Sequence, residues 1–178
     1  MDSDEALKRL KAGNNVFLNA EICGGDISPA IRKKTSSEGQ HPYATVVTCS
    51  DSRVIPESIF SAGIGELFVI RAAGNVVGNI QLGSIEYATE HLKTPLVLVL
   101  GHSGCGAVGA AIGSSPTGFV KYITDEIKLA IGEEKDDLKA CGLNVKRTVE
   151  RIKAAFPEGD FKVAGAIYNL ADGTVKFL

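Results

Sequence analysis

The feature of this 178-residue sequence that most constrains its fold is a series of short apolar runs, rich in β-branched residues, between segments of helical periodicity. The runs lie at 43–48, 66–71, 95–100, 161–168 and, more weakly, 174–178. In the first three, apolar residues follow one another almost without interruption, which is typical of strands covered on both faces. The sequence therefore predicts an α/β fold with a mainly parallel central sheet of about five strands flanked by helices.

The segments between the runs predict the helices. Residues 79–92 carry apolar side chains at helical spacing and fit the crossover helix of a parallel strand pair. Further helices are predicted at 3–13, 28–37, 106–112, 118–131 and 143–155. Because no repeat or Pro/Ser-rich linker divides the chain, we expect a single domain over 1–178, with an N-terminal helical arm at about 1–40.

Charge and hydropathy exclude several classes of function. The 19 Lys and Arg residues against 21 Asp and Glu give a formal net charge of −2, without the basic stripe that nucleic acid or an anionic membrane requires. The acidic N-terminus lacks the apolar core of a signal peptide, and no apolar run approaches the ~18 residues of a membrane span. We therefore expect a cytoplasmic protein without a nucleic-acid or membrane partner.

The four cysteines are too few and too scattered for a disulfide scaffold, and cytosolic thiols stay reduced. Cys23 and Cys141 have no Cys or His at ligand spacing, so we expect them to be buried or without a role. Cys49 and Cys105 differ, because each follows a predicted strand.

Two loops with reactive side chains follow the first and third strands. Cys49, Asp51 and Arg53 belong to the motif CSDSR, and His102 and Cys105 belong to GHSGCG. Ligands of open parallel sheets gather beyond the carboxyl ends of the strands, so both loops are expected at one edge. Two thiolates and an imidazole suit Zn²⁺, and three protein ligands leave an open fourth position, the pattern of a catalytic zinc site.

Simpler readings exist for each half of this pattern. A His-x-x-Cys pair alone is weak evidence for a metal, and a cysteine after a strand is usually buried. The alternative for Asp51 and Arg53 is a local salt bridge that only stabilises the loop.

The same residues carry a resemblance to the β-class carbonic anhydrases. The CSDSR motif is followed by GELFVIRAAGN, SIEYATEHL and LVLGHSGCGA, and the similarity runs from about residue 4 to the end. The resemblance implies an enzyme that hydrates CO₂ reversibly to bicarbonate and a proton, with Cys49, His102 and Cys105 as zinc ligands. In carbonic anhydrase, zinc lowers the pKa of bound water from ~15.7 to roughly 7, so zinc-bound hydroxide attacks CO₂.

Asp51 is expected to accept the hydrogen bond of that hydroxide and to orient it toward CO₂. Arg53 would hold Asp51 through a charge-assisted bidentate pair. If this pair breaks, Asp51 itself becomes a fourth zinc ligand, and family members show both arrangements. The sequence does not decide which one is the resting state.

The resemblance also implies a substrate pocket made of Gln40, Phe68, Tyr87 and Gly106. Gln40 and the backbone of Gly106 would donate hydrogen bonds, while Phe68 and Tyr87 would form an aromatic wall; ordinary core packing is the alternative for these two. In the family this wall is built across a dimer interface, so we expect a homodimer or a higher oligomer of dimers.

Some family positions are matched less well. His91, with His41 as a weaker option, matches a position suggested for proton transfer, although a solvent-facing histidine without this role is the alternative. One branch of the family binds a second bicarbonate through Trp, Arg and Tyr. Arg71 and Tyr168 match that pattern, but Val46 stands at the Trp position and the chain has no Trp, so this regulation is not expected.

Three rival functions remain open from the sequence. A cysteine-nucleophile phosphatase fits poorly, because its Arg lies further from the Cys than Arg53 lies from Cys49. A non-catalytic zinc-binding or redox-sensing module would share the metal but would not hydrate CO₂. A CS₂ or COS hydrolase of the same family would share the whole ligand set and differ in its access tunnel.

Overall fold

The structure, a computed structural model, describes residues 1–20 and 24–178. Within them, one sheet has the strands β1 (Ala44–Thr48), β2 (Leu67–Arg71), β3 (Leu96–His102), β4 (Lys162–Tyr168) and β5 (Val175–Phe177). The strand order is β2-β1-β3-β4-β5; the first four are parallel and β5 runs antiparallel to β4. The predicted α/β fold with a mainly parallel sheet is confirmed. Cys23 lies outside the described residues, so its lack of a role stays a prediction.

The helices are α1 (Ser3–Asn19), α2 (Pro29–Glu38), α3 (Pro56–Ile59), α4 (Asn79–Glu86), α5 (Gly106–Gly113), α6 (Val120–Ile131) and α7 (Asp137–Ala155). A 3₁₀ turn covers Ala73–Asn75, and a π-helical turn, Tyr87–His91, continues α4. Within the described ranges, no helix combines the length and apolarity that crossing a bilayer requires.

Two helices are longer than the sequence predicts, and in each of them a glycine within the helix obscures the helical pattern of the sequence. Gly13 lies inside α1 and does not end it; the glycine is required by the close approach of the end of α3, because a Cβ there would be 1.8 Å from the carbonyl oxygen of Phe60. α7 begins before the predicted start at 143, because the Asp136 side chain accepts a hydrogen bond from the Lys139 N–H at 2.9 Å and caps the helix. Gly142 in its second turn obscures this start in the sequence pattern.

The central strands β1 and β3 are buried along their whole length. Alternate residues of β1 point to opposite faces: Val46 packs into the cluster that contains Ala6 and Leu10 of α1, and Val47 packs into the cluster that contains Val145 of α7. α1 is therefore an integral part of the core. In contrast, α2 buries none of its residues, so this part of the N-terminal arm lies on the surface.

The register of the sheet decides where the two reactive loops lie. Thr48, the last residue of β1, pairs with Leu100 of β3 on one side and with Arg71 of β2 on the other. Because the strands are parallel, the loops that follow β1 and β3 leave the sheet at the same edge.

Candidate metal centre

Three side chains that can bind a metal converge beyond the ends of β1 and β3. The ligand atoms of Cys49, His102 and Cys105 lie within 4.8 Å of one another, and all three residues are buried. Cys49 directly follows β1, His102 is the last residue of β3, and Cys105 directly precedes α5. Two sulfurs and one imidazole nitrogen at this separation fit a zinc ion.

His102 presents one ring nitrogen to the group. Its Nδ1 lies 3.0 Å from the carbonyl oxygen of Ser103. Since a carbonyl can only accept, Nδ1 carries the proton and Nε2 offers its lone pair. Nε2 is buried and has no hydrogen-bond partner among the described residues. A buried polar atom left in this way is costly unless it binds an ion, so Nε2 fits the role of metal ligand.

The two sulfurs are electrostatically different. The pKa of Cys49 is lowered, chiefly because the Cys105 thiol donates a hydrogen bond to its sulfur, and the Gly74 N–H donates to the same sulfur at 3.2 Å. The pKa of Cys105 is raised, because it keeps the proton of this pair and is buried. Burial alone would lower the pKa of His102, but the neighbouring Cys49 sulfur and the Ser103 carbonyl oxygen together raise it. A divalent cation would displace these protons on binding.

Asp51 and Arg53 form an ion pair beside this group. Nε and Nη2 of Arg53 donate to the two carboxylate oxygens of Asp51 at 3.0 and 2.7 Å, and the Arg53 backbone N–H donates to Oδ1 at 2.9 Å. These bonds hold the pKa of Asp51 well below its usual range. Asp51 Oδ2 lies 3.9 Å from His102 Nε2. The carboxylate is therefore next to the three donors but held by Arg53, and it is not part of the ligand group.

Arg71 contributes to the site in a way that the sequence did not suggest. Its guanidinium donates to the carbonyl oxygens of Cys49 at 3.2 Å, Asp51 at 2.7 Å and Val54 at 2.9 Å. Arg71 therefore fixes the backbone of the CSDSR loop. Arg71 ends β2 and pairs with Thr48, the residue before Cys49. A known sheet register would therefore have placed Arg71 beside the CSDSR loop.

The residues predicted for the substrate pocket are only partly brought together. The rings of Phe68 and Tyr87 lie 6.0 Å apart, and the exposed Tyr87 also lies 5.3 Å from the ring of His91. Gly106 is the first residue of α5 and follows Cys105 directly. Gln40 is exposed in the segment between α2 and β1 and is not part of the aromatic pair.

Cys141 is buried in the same apolar cluster as Cys49 and Cys105, as predicted. Burial raises the pKa of its thiol to about 11. It therefore stays protonated at neutral pH.

Comparison with known proteins agrees with this geometry. The sequence profile of the family described as carbonic anhydrase matches residues 44–175. A carbonic anhydrase of Mycolicibacterium smegmatis is 36% identical over 191 aligned residues, which cover 96% of this chain and 91% of that protein.

Solved structures show the same fold. A β-carbonic anhydrase of the fungal pathogen Aspergillus fumigatus superimposes with a TM-score of 0.75 at 27% identity, over 84% of this chain and 81% of that one. The Coccomyxa β-carbonic anhydrase, solved in complex with acetazolamide, has a TM-score of 0.72 at 27% identity, over 86% of each chain.

Proposed function

The chain belongs to the β class of the carbonic anhydrase family, and on that premise we propose that Cys49, His102 and Cys105 hold its catalytic zinc ion. Its activity is the reversible hydration of carbon dioxide to bicarbonate and a proton, the reaction of a carbonate dehydratase, a zinc-dependent lyase. The observation that supports the ligand assignment is the buried group of three donor atoms at the sheet edge. Zinc bound there would supply a nucleophile from water near neutral pH.

Asp51 has the proposed role of orienting the water that reacts. Its low pKa keeps the carboxylate ionised and able to accept a hydrogen bond, and Arg53 fixes both of its oxygens. The carboxylate lies 3.9 Å from His102 Nε2, so it is close enough to accept a hydrogen bond from a water molecule beside the three donors. Arg53 is proposed to keep Asp51 in this role, since a free Asp51 would itself compete for the metal.

The pocket for CO₂ is proposed to use Phe68 and Tyr87 as its apolar wall and the backbone N–H of Gly106 as a donor. CO₂ is small, linear and without a dipole, so an apolar pocket with few donors suits it. We propose that Gln40 enters this pocket from a neighbouring subunit, because its side chain is exposed within one chain.

A homodimer is proposed as the minimal active unit. Ile80 and Tyr87 occupy one face of α4 and its π-helical turn, and they are 82% and 47% exposed. They leave apolar surface uncovered beside the Phe68–Tyr87 pair, where a second subunit would cover it. We further propose that residues 1–178 act as one domain, in the cytoplasm.

The deciding experiment measures zinc content and CO₂ hydration on the same sample. We expect about one zinc per chain and an activity that a chelator removes and added zinc restores. Stoichiometric zinc without hydration between pH 6 and 9 would contradict the proposed site roles. Hydrolysis of CS₂ or COS in place of CO₂ hydration would favour the alternative within the family.

A further inference from the structure

Helix α7 presents a row of polar side chains to the loops that carry the metal ligands. Asp137, Cys141, Asn144 and Thr148 recur at intervals of three or four residues and so share one face of the helix. The last three are buried, and Asp137 is half-buried. Such polar groups inside an otherwise apolar interface need partners, and the backbone around the metal centre provides them.

Asn144 reaches the turn behind Cys49. Its Nδ2 donates to the carbonyl oxygen of Gly74 at 2.7 Å, and the N–H of the same glycine donates to the Cys49 sulfur at 3.2 Å. Thr148, one turn further along α7, donates to the carbonyl oxygen of Asn75 at 3.4 Å. Contacts from α7 therefore hold the two carbonyl groups that directly follow the Gly74 N–H in the chain.

Gly74 itself leaves this turn little freedom. Its φ is +67°, and a Cβ would lie 2.8 Å from Cδ1 of Ile127 and 3.1 Å from Cβ of Ala107. The backbone is thus packed closely from the α5 and α6 side, and Asn144 holds it from the α7 side.

Asp137 reaches the second loop. Its Oδ2 accepts a hydrogen bond from the Gly104 N–H at 2.8 Å, between His102 and Cys105 in the sequence. The N-cap of α7 is already provided by Asp136. Asp137 is therefore free to fix the loop that supplies the other two donors.

We propose that Asn144 and Asp137 are positioning residues for zinc: Asn144 aims the Gly74 N–H at the Cys49 sulfur, and Asp137 fixes the His102 to Cys105 loop. This inference rests on the zinc site proposed above. An N–H directed at a thiolate stabilises its lone pairs and so weakens its donation to the metal. α7 thereby controls both the geometry and the donor strength of the site.

The test uses Asn144→Asp, which keeps the shape of the side chain but replaces the donor with an oxygen that repels the Gly74 carbonyl. The protein is prepared with Co²⁺ in place of zinc, and the thiolate-to-cobalt charge-transfer band is recorded. We expect the band to move to longer wavelength, because the sulfur has lost its N–H partner. Zinc affinity should nevertheless fall about 10-fold or more, because the Cys49 sulfur is no longer held in the orientation that the metal needs.

Asn14→Asp is the matched control. Asn14 is also buried, and its Nδ2 donates to the carbonyl oxygens of Ile59 and Gly173, on the opposite face of the sheet. We expect this variant to lose stability while keeping the wild-type cobalt band and zinc affinity. The same spectral change in both variants would overturn the inference, and so would a wild-type band and affinity in Asn144→Asp.

Asp137→Ala provides a second variant that should fold readily, because the residue is half-buried at the start of a helix that Asp136 caps. We expect faster zinc release to a chelator, with Asp137→Asn restoring part of the wild-type rate through its amide oxygen. An unchanged release rate in Asp137→Ala would overturn the role of Asp137. If the wild-type protein bound neither zinc nor Co²⁺, the proposed function itself would fail.

Discussion

Asp51 is the residue on which the proposed chemistry depends, because Arg53 and the proposed zinc ion would compete for its carboxylate. Arg53 holds both oxygens, while the three metal donors begin 3.9 Å away at His102 Nε2. A carboxylate tethered this close has a high effective concentration at the metal. Activity should therefore depend on the Arg53 contact even though Arg53 has no proposed contact with CO₂.

The variant Arg53→Ala tests this dependence. It frees Asp51 to bind the metal as a fourth ligand, so we expect full zinc content with hydration lowered about 100-fold or more. Zinc analysis and stopped-flow CO₂ hydration measure the two quantities. Lys33→Ala, which removes an exposed positive charge from α2, is the control. Wild-type activity in Arg53→Ala would rule out this role for Arg53.

Asp51→Asn should also be slow, for a different reason. An amide is a poor zinc ligand, so the fourth position stays open while the reacting water loses its charged acceptor. Acetazolamide, which the Coccomyxa enzyme binds, separates the two variants. We expect calorimetry to detect acetazolamide binding to Asp51→Asn and little binding to Arg53→Ala. Equal affinity in both would mean that Asp51 does not take the metal position.

Among the elements, the sequence predicts the strands and the loops that follow them better than it predicts what holds those loops. The apolar runs locate β1 and β3, and the rule for parallel sheets then brings Cys49 and His102 together. The contacts of Arg71 and Asn144 were not predictable in this way, because they depend on how distant segments pack. Hydrophobic periodicity predicts which face of α7 is buried, but it does not predict which backbone carbonyl a buried residue such as Asn144 will bind.

The turn Ala73–Asn75 offers a test at the level of an element. Gly74→Ala forces a side chain into a left-handed conformation at φ +67° and against Ile127, so we expect a loss of about 1–2 kcal/mol in the free energy of unfolding. Gly109→Ala is the matched control, because a Cβ at this position in α5 meets no atom within 4 Å and should stabilise the helix by roughly 0.5–1 kcal/mol. Urea unfolding of the two variants measures the difference; equal stabilities would contradict the strain assigned to Gly74.

For the molecule as a whole, Tyr43 links stability to alkaline pH. It is 5% exposed, and burial raises its pKa to about 12. Because the folded pKa lies above the unfolded value of about 10, the stability from the neutral phenol is complete below pH 10 and is lost as pH rises through 12. Tyr43→Phe avoids this loss, so between pH 9 and 11 wild type should weaken relative to the variant by about 1 kcal/mol.

Urea unfolding at pH 9, 10 and 11 measures this difference, and Tyr122→Phe is the control because Tyr122 is exposed. If the wild-type and Tyr43→Phe stabilities stayed parallel over this range, ionisation of Tyr43 would not limit alkaline stability.

The three metal donors lie at or just beyond the ends of β1 and β3, two neighbouring inner strands of the sheet. An ion held there would link the segments that follow β1 and β3. It would bind the folded chain far better than the unfolded one, because only folding brings the three donors together. Removal of the ion should therefore raise the fraction of unfolded chains, which cellular proteases degrade. We expect the lifetime of this protein in the cell to shorten during metal starvation, so that its abundance follows the supply of zinc.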